Sequence, residues 1–101
     1  MRPLLLTALT LGILAFVVPA YAVGDAAAGK AKASACGMCH GPNGEGTSMA
    51  PKLAGEDQGK FVQAVQDYKS GKKNNAMMKS QAAALSDADI ANLAAYYGSL
   101  R

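Results

Sequence analysis

The sequence predicts an all-α fold of about three main helices joined by long loops, and three observations carry that prediction. Apolar residues recur at helical spacing in two stretches: Phe61, Val62, Val65 and Tyr68, then Ile90, Leu93, Ala94 and Tyr97. Such spacing lines one face of a helix. After residue 22 no stretch alternates apolar and polar residues as a half-buried strand does, and there is no internal repeat or low-complexity tract. The turn formers Gly, Pro and Asn cluster between the periodic stretches, which makes those intervals loops.

The chain has 101 residues, enough for one domain. Residues 1–22 read as a secretion signal: Arg2 is the basic start, Leu4 to Val18 the apolar run, and Ala20-Tyr21-Ala22 a small-x-small cleavage site. The apolar run is short for a membrane span of about 20 residues, so an uncleaved anchor is the lesser reading. The expected domain is therefore 23–101, periplasmic, with no stable membrane insertion after cleavage and a monomer or weak dimer. Without Arg2, the ten Lys and Arg become nine against seven Asp and Glu, a net +2. That is too weak for nucleic acid and enough for mild steering toward an acidic partner.

Residues 25–36 read as the first helix. Asp25 can accept hydrogen bonds from free backbone N–H groups as N-cap, and alanines and lysines follow. Gly29 inside it costs roughly 1 kcal/mol relative to Ala and can mark a close helix crossing. Residues 41–56 read as a loop, from Gly41, Pro42, Asn43, Gly44 and Gly46. A loop that long is usually functional or wrapped around something. Residues 57–70 read as the second helix, ended by Gly71. Residues 72–84 start polar and flexible and close in a short helical turn near Gln81 and the alanines. The last helix opens on a capping-box-like pair, Ser86 and Asp89, with Leu85 and Ile90 as a hydrophobic staple, and ends at Gly98.

Cys36-Gly37-Met38-Cys39-His40 carries the chemistry. A Cys-x-x-Cys-His run reads as an attachment site for haem c. Residues three apart share a helix face, so both sulfurs can form thioethers along one porphyrin edge while His40 reaches the iron. The chain holds no other Cys and no other His. A thioredoxin-like dithiol would need a βαβ pattern that is absent here. A structural zinc site would need four ligands where three exist, and a Cys36–Cys39 disulfide would close a tiny loop that stabilises little. A domain this small is marginal without a staple, and a covalently held haem would be one.

The second axial position has Met candidates. A Met thioether is soft, favours ferrous iron and raises the reduction potential. Met1 is in the leader, Met38 lies between the thioether cysteines, and Met49 follows His40 closely. Met77 and Met78 lie 37 and 38 residues after His40, far enough to wrap around the ring edge, and spacing does not choose between them.

On these residues the chain resembles the bacterial class I cytochromes c, of the small c553/c5 type or one half of a cytochrome c4. The resemblance rests on Cys36 to Gly41, Asn43-Gly44-Glu45-Gly46, Pro51-Lys52-Leu53-Ala54-Gly55, Met78, and Leu85 to Ile90 leading to Leu93-Ala94-Ala95-Tyr96. It implies a cytochrome c fold around one haem. It also picks Met78 as the axial Met, eight residues before Ser86, gives Pro51 the carbonyl that fixes His40, and pairs Gly29 with Leu93 and Tyr96. The chain ends at Arg101, so the two-haem behaviour of a cytochrome c4 does not transfer.

The expected function is a periplasmic single-haem electron carrier between respiratory or dehydrogenase partners, not an enzyme. Cys36, Cys39, His40, Met78 and Pro51 hold the cofactor, and His40 and Met78 bind the iron. Lys52, Lys72, Lys73 and Lys79 can ring the haem edge and steer an acidic partner. The alternatives are the haem subunit of a larger periplasmic oxidoreductase complex, and a gas-binding or peroxidase-like haem protein with a labile sixth ligand.

Overall fold

A computed structural model describes Thr10, Gly12, Ile13 and residues 24–101. The leader read over residues 1–22 lies outside the described residues, apart from those three positions. The described chain forms five helices and, among the described residues, no strand. They are α1 Ala26–Lys32, α2 Ser34–His40, α3 Gln58–Ser70, α4 Ala76–Ala83 and α5 Asp87–Ser99. None is long and apolar enough to cross a membrane.

The expected first helix is two helices. The backbone shifts at Ala33 (φ −73°, ψ −9°), which closes α1 and opens α2. α2 then runs through the whole Cys-x-x-Cys-His segment and stops at Gly41, where φ is +96°. Sequence periodicity misses the break because alanine suits both sides of it. At the start of α1 the Asp25 carboxylate accepts from the amides of Ala27 (2.9 Å) and Ala28 (3.2 Å). Asp25 N–H donates to Asn92 Oδ1 at 2.8 Å, which ties α1 to α5.

α1 crosses α5 at Gly29. A Cβ built there would lie 2.0 Å from the Asn92 carbonyl oxygen and 2.9 Å from Tyr96 Cβ. Only glycine permits that approach. Tyr96 is an expected partner, and the nearest group of all is the Asn92 backbone carbonyl. Leu93 is fully buried in the core.

α3 starts on Asp57, whose carboxylate accepts from Lys60 N–H at 3.0 Å, and ends on Gly71 in the left-handed conformation. The stripe expected on α3 faces inward: Phe61 and Val65 are buried, with Val62 and Tyr68 partly so. Residues 76–83 form a full helix where the sequence suggested only a turn. Its N-cap is Asn75, whose side chain accepts from Met78 N–H at 3.0 Å.

α5 opens with a complete capping box. Ser86 Oγ accepts from Asp89 N–H, and Asp89 Oδ2 accepts from Ser86 N–H, both at 3.0 Å. That amide holds the Asp89 carboxyl below its ordinary range, against slight desolvation and with help from Lys32. The folded state's lowered value gives a stabilisation present above the unfolded value and lost as pH falls through the folded one. The helix continues one residue past Gly98, because Gly98 serves a close approach to Glu56 and Gln58 instead of a stop.

The core sits between α1, α3 and α5. Phe61, Val65, Ile90, Leu93, Ala94 and Tyr97 fill it, with Ala82 entering from α4. Phe61 and Tyr97 pack with ring centroids 5.8 Å apart, and Tyr96 and Tyr97 with centroids 5.0 Å apart. Tilted aromatic pairs at such distances add to the gain from burial. Gly29→Ala is expected to lower unfolding stability by about 1–3 kcal/mol, the usual cost of overpacking. An unchanged denaturation midpoint would show that the crossing has room to spare.

Candidate functional site

The site grows from the end of α2. His40 is buried, and its Nδ1 lies 2.7 Å from the Pro51 carbonyl oxygen. A carbonyl only accepts, so Nδ1 carries the proton and donates. In the neutral ring Nε2 is then the unprotonated nitrogen, with its lone pair available to a metal. Fixing one ring nitrogen in this way orients the other and raises its basicity.

The loop after His40 delivers that carbonyl. Gly46 N–H donates to the His40 carbonyl at 2.7 Å, and Thr47 N–H to the Ala50 carbonyl at 2.9 Å. The Thr47 hydroxyl donates to the Cys39 carbonyl and accepts from Met49 N–H. It therefore ties the loop to the last turn of α2, a role that sequence reading missed; a Thr among turn residues was the available signal. Gly46 has φ +88°, and a Cβ there would come within 2.9 Å of Lys52 N. Two further bonds, from Leu53 N–H (2.8 Å) and Ala54 N–H (2.9 Å) to the Gly44 carbonyl, fold the loop back on itself. Gly55 N–H reaches the Tyr97 carbonyl of α5 at 2.8 Å.

Cys36 and Cys39 are half-buried free thiols on α2. Burial pushes the Cys36 thiol above its ordinary value, opposed by the neighbouring Tyr97 hydroxyl and by the Cys36 amide. Tyr97 is itself pushed up, first by burial and then by the Cys36 sulfur beside it. Its ring packs over Gly44, where a Cβ would fall 2.6 Å from a ring carbon.

Met78 and Met77 part company on α4. Ala82, four residues after Met78 on the same helix face, is fully buried. Met78 is accordingly turned inward and half-buried, while Met77 is 68% exposed. Met38 and Met49 are 80% and 71% exposed. Among the described helices the backbone of α4 packs on α3 and that of α2 on α1, while the Cys36 side chain of α2 reaches Tyr97 of α5. The structure therefore brings His40 and Pro51 together, and places Met78 on a helix that does not pack against α2.

This arrangement fits haem c. Among the described residues no three His, Cys, Asp or Glu side chains gather into a group that could hold a metal ion by themselves. A porphyrin would ask for a different layout, with two thiols near each other and an oriented imidazole beside them; Cys36 and Cys39 on α2 and the His40 ring held by Pro51 fit it. Leu53, Tyr68 and Leu85 pack half-buried against the core together with Cys36, which continues the apolar surface out to the attachment helix.

The family model for cytochrome c matches residues 26–101. The chain belongs to the cytochrome c family. It is 44% identical over 92 residues to cytochrome c4 of Pseudomonas aeruginosa, an alignment covering 90% of this chain and 44% of that protein. It is 41% identical over 80 residues to cytochrome c-554(548) of Halomonas halodenitrificans, covering 75% of this chain and 96% of the other. A solved structure of Acidithiobacillus ferrooxidans cytochrome c4 superposes with a TM-score of 0.74 at 31% identity, over 77% of this chain and 51% of that one. The chain thus spans about half the length of the cytochromes c4 it matches. The fold is the all-α cytochrome c fold, and the cofactor of this cytochrome c is haem c, held covalently through Cys36 and Cys39.

Gly46→Ala is expected to strain the loop and shift the Pro51 carbonyl, since the residue has φ +88° and no room for a Cβ. The loss should be about 1–3 kcal/mol of stability, with a shifted and faster-exchanging His40 Nδ1 proton in NMR spectra. An unperturbed proton signal would show that Pro51 is held by other means.

Proposed function

We propose that this cytochrome c is an exported, periplasmic carrier of single electrons between redox-protein partners, with no catalytic role of its own. The observation that carries the reading is the imidazole of His40, fixed through Nδ1 by Pro51 with Nε2 left for iron, combined with Met78 turned inward on α4. When bound, haem c supplies one-electron chemistry at its iron. Cys36 and Cys39 hold the cofactor, and His40 Nε2 and Met78 Sδ would bind its iron. With both donors in place the iron would admit no substrate and would favour electron transfer. A neutral thioether together with an imidazole would favour the ferrous state and a high reduction potential. Export is supported by the leader pattern in residues 1–22.

The surface near Met78 supports an acidic partner. Lys72, Lys73 and Lys79 are exposed and, among the described residues, none forms an ion pair. Lys79 Nζ lies 3.5 Å from where a Gly71 Cβ would stand, so the end of α3 and the start of α4 make one basic corner. Lys73 Nζ sits 5.5 Å from the centroid of the Tyr68 ring. Lys52 is exposed in the loop next to Pro51. A cluster of unpaired cations next to the proposed axial Met speeds encounter with a negative surface and is screened by salt.

The oxidised protein is expected to show the weak near-infrared-edge band of sulfur-bound iron. Met78→Ala should abolish it, let the reduced protein bind carbon monoxide at neutral pH, and lower the reduction potential by on the order of 0.1 V, within the range that axial ligands control. Met77→Ala should preserve all three properties; the opposite pattern would make Met77 the ligand. Electron transfer to an acidic partner should slow with rising ionic strength, and Lys72→Glu with Lys79→Glu should slow it severalfold at low salt. Rates indifferent to salt would remove steering from the account.

A further inference from the structure

The helix that bears Met78 is weakly anchored on its own. α4 has one fully buried residue, Ala82, and among the described helices its backbone packs on α3. Its last turn contains no basic residue to offset the partial negative charge of its free carbonyls. Three residues, Ala84 to Ser86, then join it to α5. The Leu85 carbonyl in that junction precedes the N-cap Ser86, so no N–H of α5 can satisfy it.

Lys69 of α3 meets this need. Its ammonium donates to the Leu85 carbonyl at 2.6 Å, in a part-buried position and across 16 residues of chain. Gln66, one turn earlier on α3, donates from Nε2 to Asp87 Oδ1 at 2.9 Å. α3 therefore grips the α4–α5 junction at two points, and the charged one sits at the C-terminal end of α4. Among the described residues Lys69 has no acidic partner, so its charge serves this carbonyl and the helix end.

We propose that Lys69 is a positioning residue for Met78: by bonding the Leu85 carbonyl it fixes the C-terminal end of α4 and so slows release of the Met78 sulfur from iron. The proposal rests on Met78 being the axial ligand. Loss of the ammonium would let α4 fray from its C-terminal end, and the helix that carries Met78 is only eight residues long.

The test uses the oxidised holoprotein and added imidazole, which enters as fast as the Met sulfur leaves. Lys69→Met is expected to raise the entry rate about tenfold, the scale of one charge-assisted hydrogen bond. Amide exchange across residues 76–83 should rise by a similar factor, with α1 and α5 unchanged. Lys69→Arg should restore slow entry, and Lys60→Met, the same charge change at an exposed position of α3, should leave it slow. Lys69→Gln replaces Lys69→Met if the latter does not mature. Entry as slow in Lys69→Met and Lys69→Gln as in the unsubstituted protein overturns the proposal, as does fast entry in Lys60→Met or a lower denaturation midpoint with unchanged entry. Met78→Ala separates the two layers. If it keeps the sulfur band, the ligand assignment fails and the proposal with it; if the band is lost while entry stays slow in the Lys69 variants, only the role of Lys69 fails.

Discussion

The hydrogen bond from His40 Nδ1 to the Pro51 carbonyl is the contact on which the site depends. It orients the imidazole and engages Nδ1, so that Nε2 is the nitrogen that would face an iron, and it does so from a loop rather than from a helix. The loop can serve only because it is fastened on several sides: Gly46 to the His40 carbonyl, Thr47 to the Cys39 carbonyl, Leu53 and Ala54 to Gly44, and Gly55 to α5. Each fastening satisfies a backbone group that a loop would otherwise leave to water. The long interval between α2 and α3 is thus a cradle built from turns.

Helix packing supplies the frame for that cradle. The α1–α5 crossing at Gly29 brings two backbones into contact, and the Asp25–Asn92 bond fixes its register. α5 then presents Tyr97 to both Gly44 and Cys36, so the core, the loop and the attachment helix share one side chain. The apolar interior is small, formed by Ala33, two large residues of α3, one alanine of α4 and one face of α5. A covalently attached apolar cofactor fits such a chain because it enlarges the buried interior without further sequence.

The two sides of the proposed iron site differ in how they are built. On the His40 side, covalent attachment, a short helix and a braced loop fix the donor within a few residues. On the Met78 side the donor stands on a short helix whose anchorage comes from α3, through Ala82 packing and the Lys69 and Gln66 bonds. That difference would make the Met78 thioether the donor whose release distant residues can tune, and Lys72, Lys73 and Lys79 lie near the same helix.

Much of this was legible in the sequence, for a local reason. The Cys-x-x-Cys-His spacing, the Asp25, Ser86 and Asp89 caps and the apolar stripes of α3 and α5 each depend on neighbours within a turn or two, so residue order alone determined them. The break at Ala33 and the extent of α4 were not legible, because alanine-rich stretches satisfy several helical readings equally. The half-buried position of Met78 beside an exposed Met77 goes with the burial of Ala82, which exists only once α4 lies on α3. Asn92 as the partner of Gly29, Thr47 on the last turn of α2, and Lys69 on the Leu85 carbonyl join residues 8 to 63 positions apart. Such pairs leave no periodic trace in a chain; only the tertiary structure decided them, since a hydrogen bond or a close crossing between distant residues is set by where the packed helices bring them.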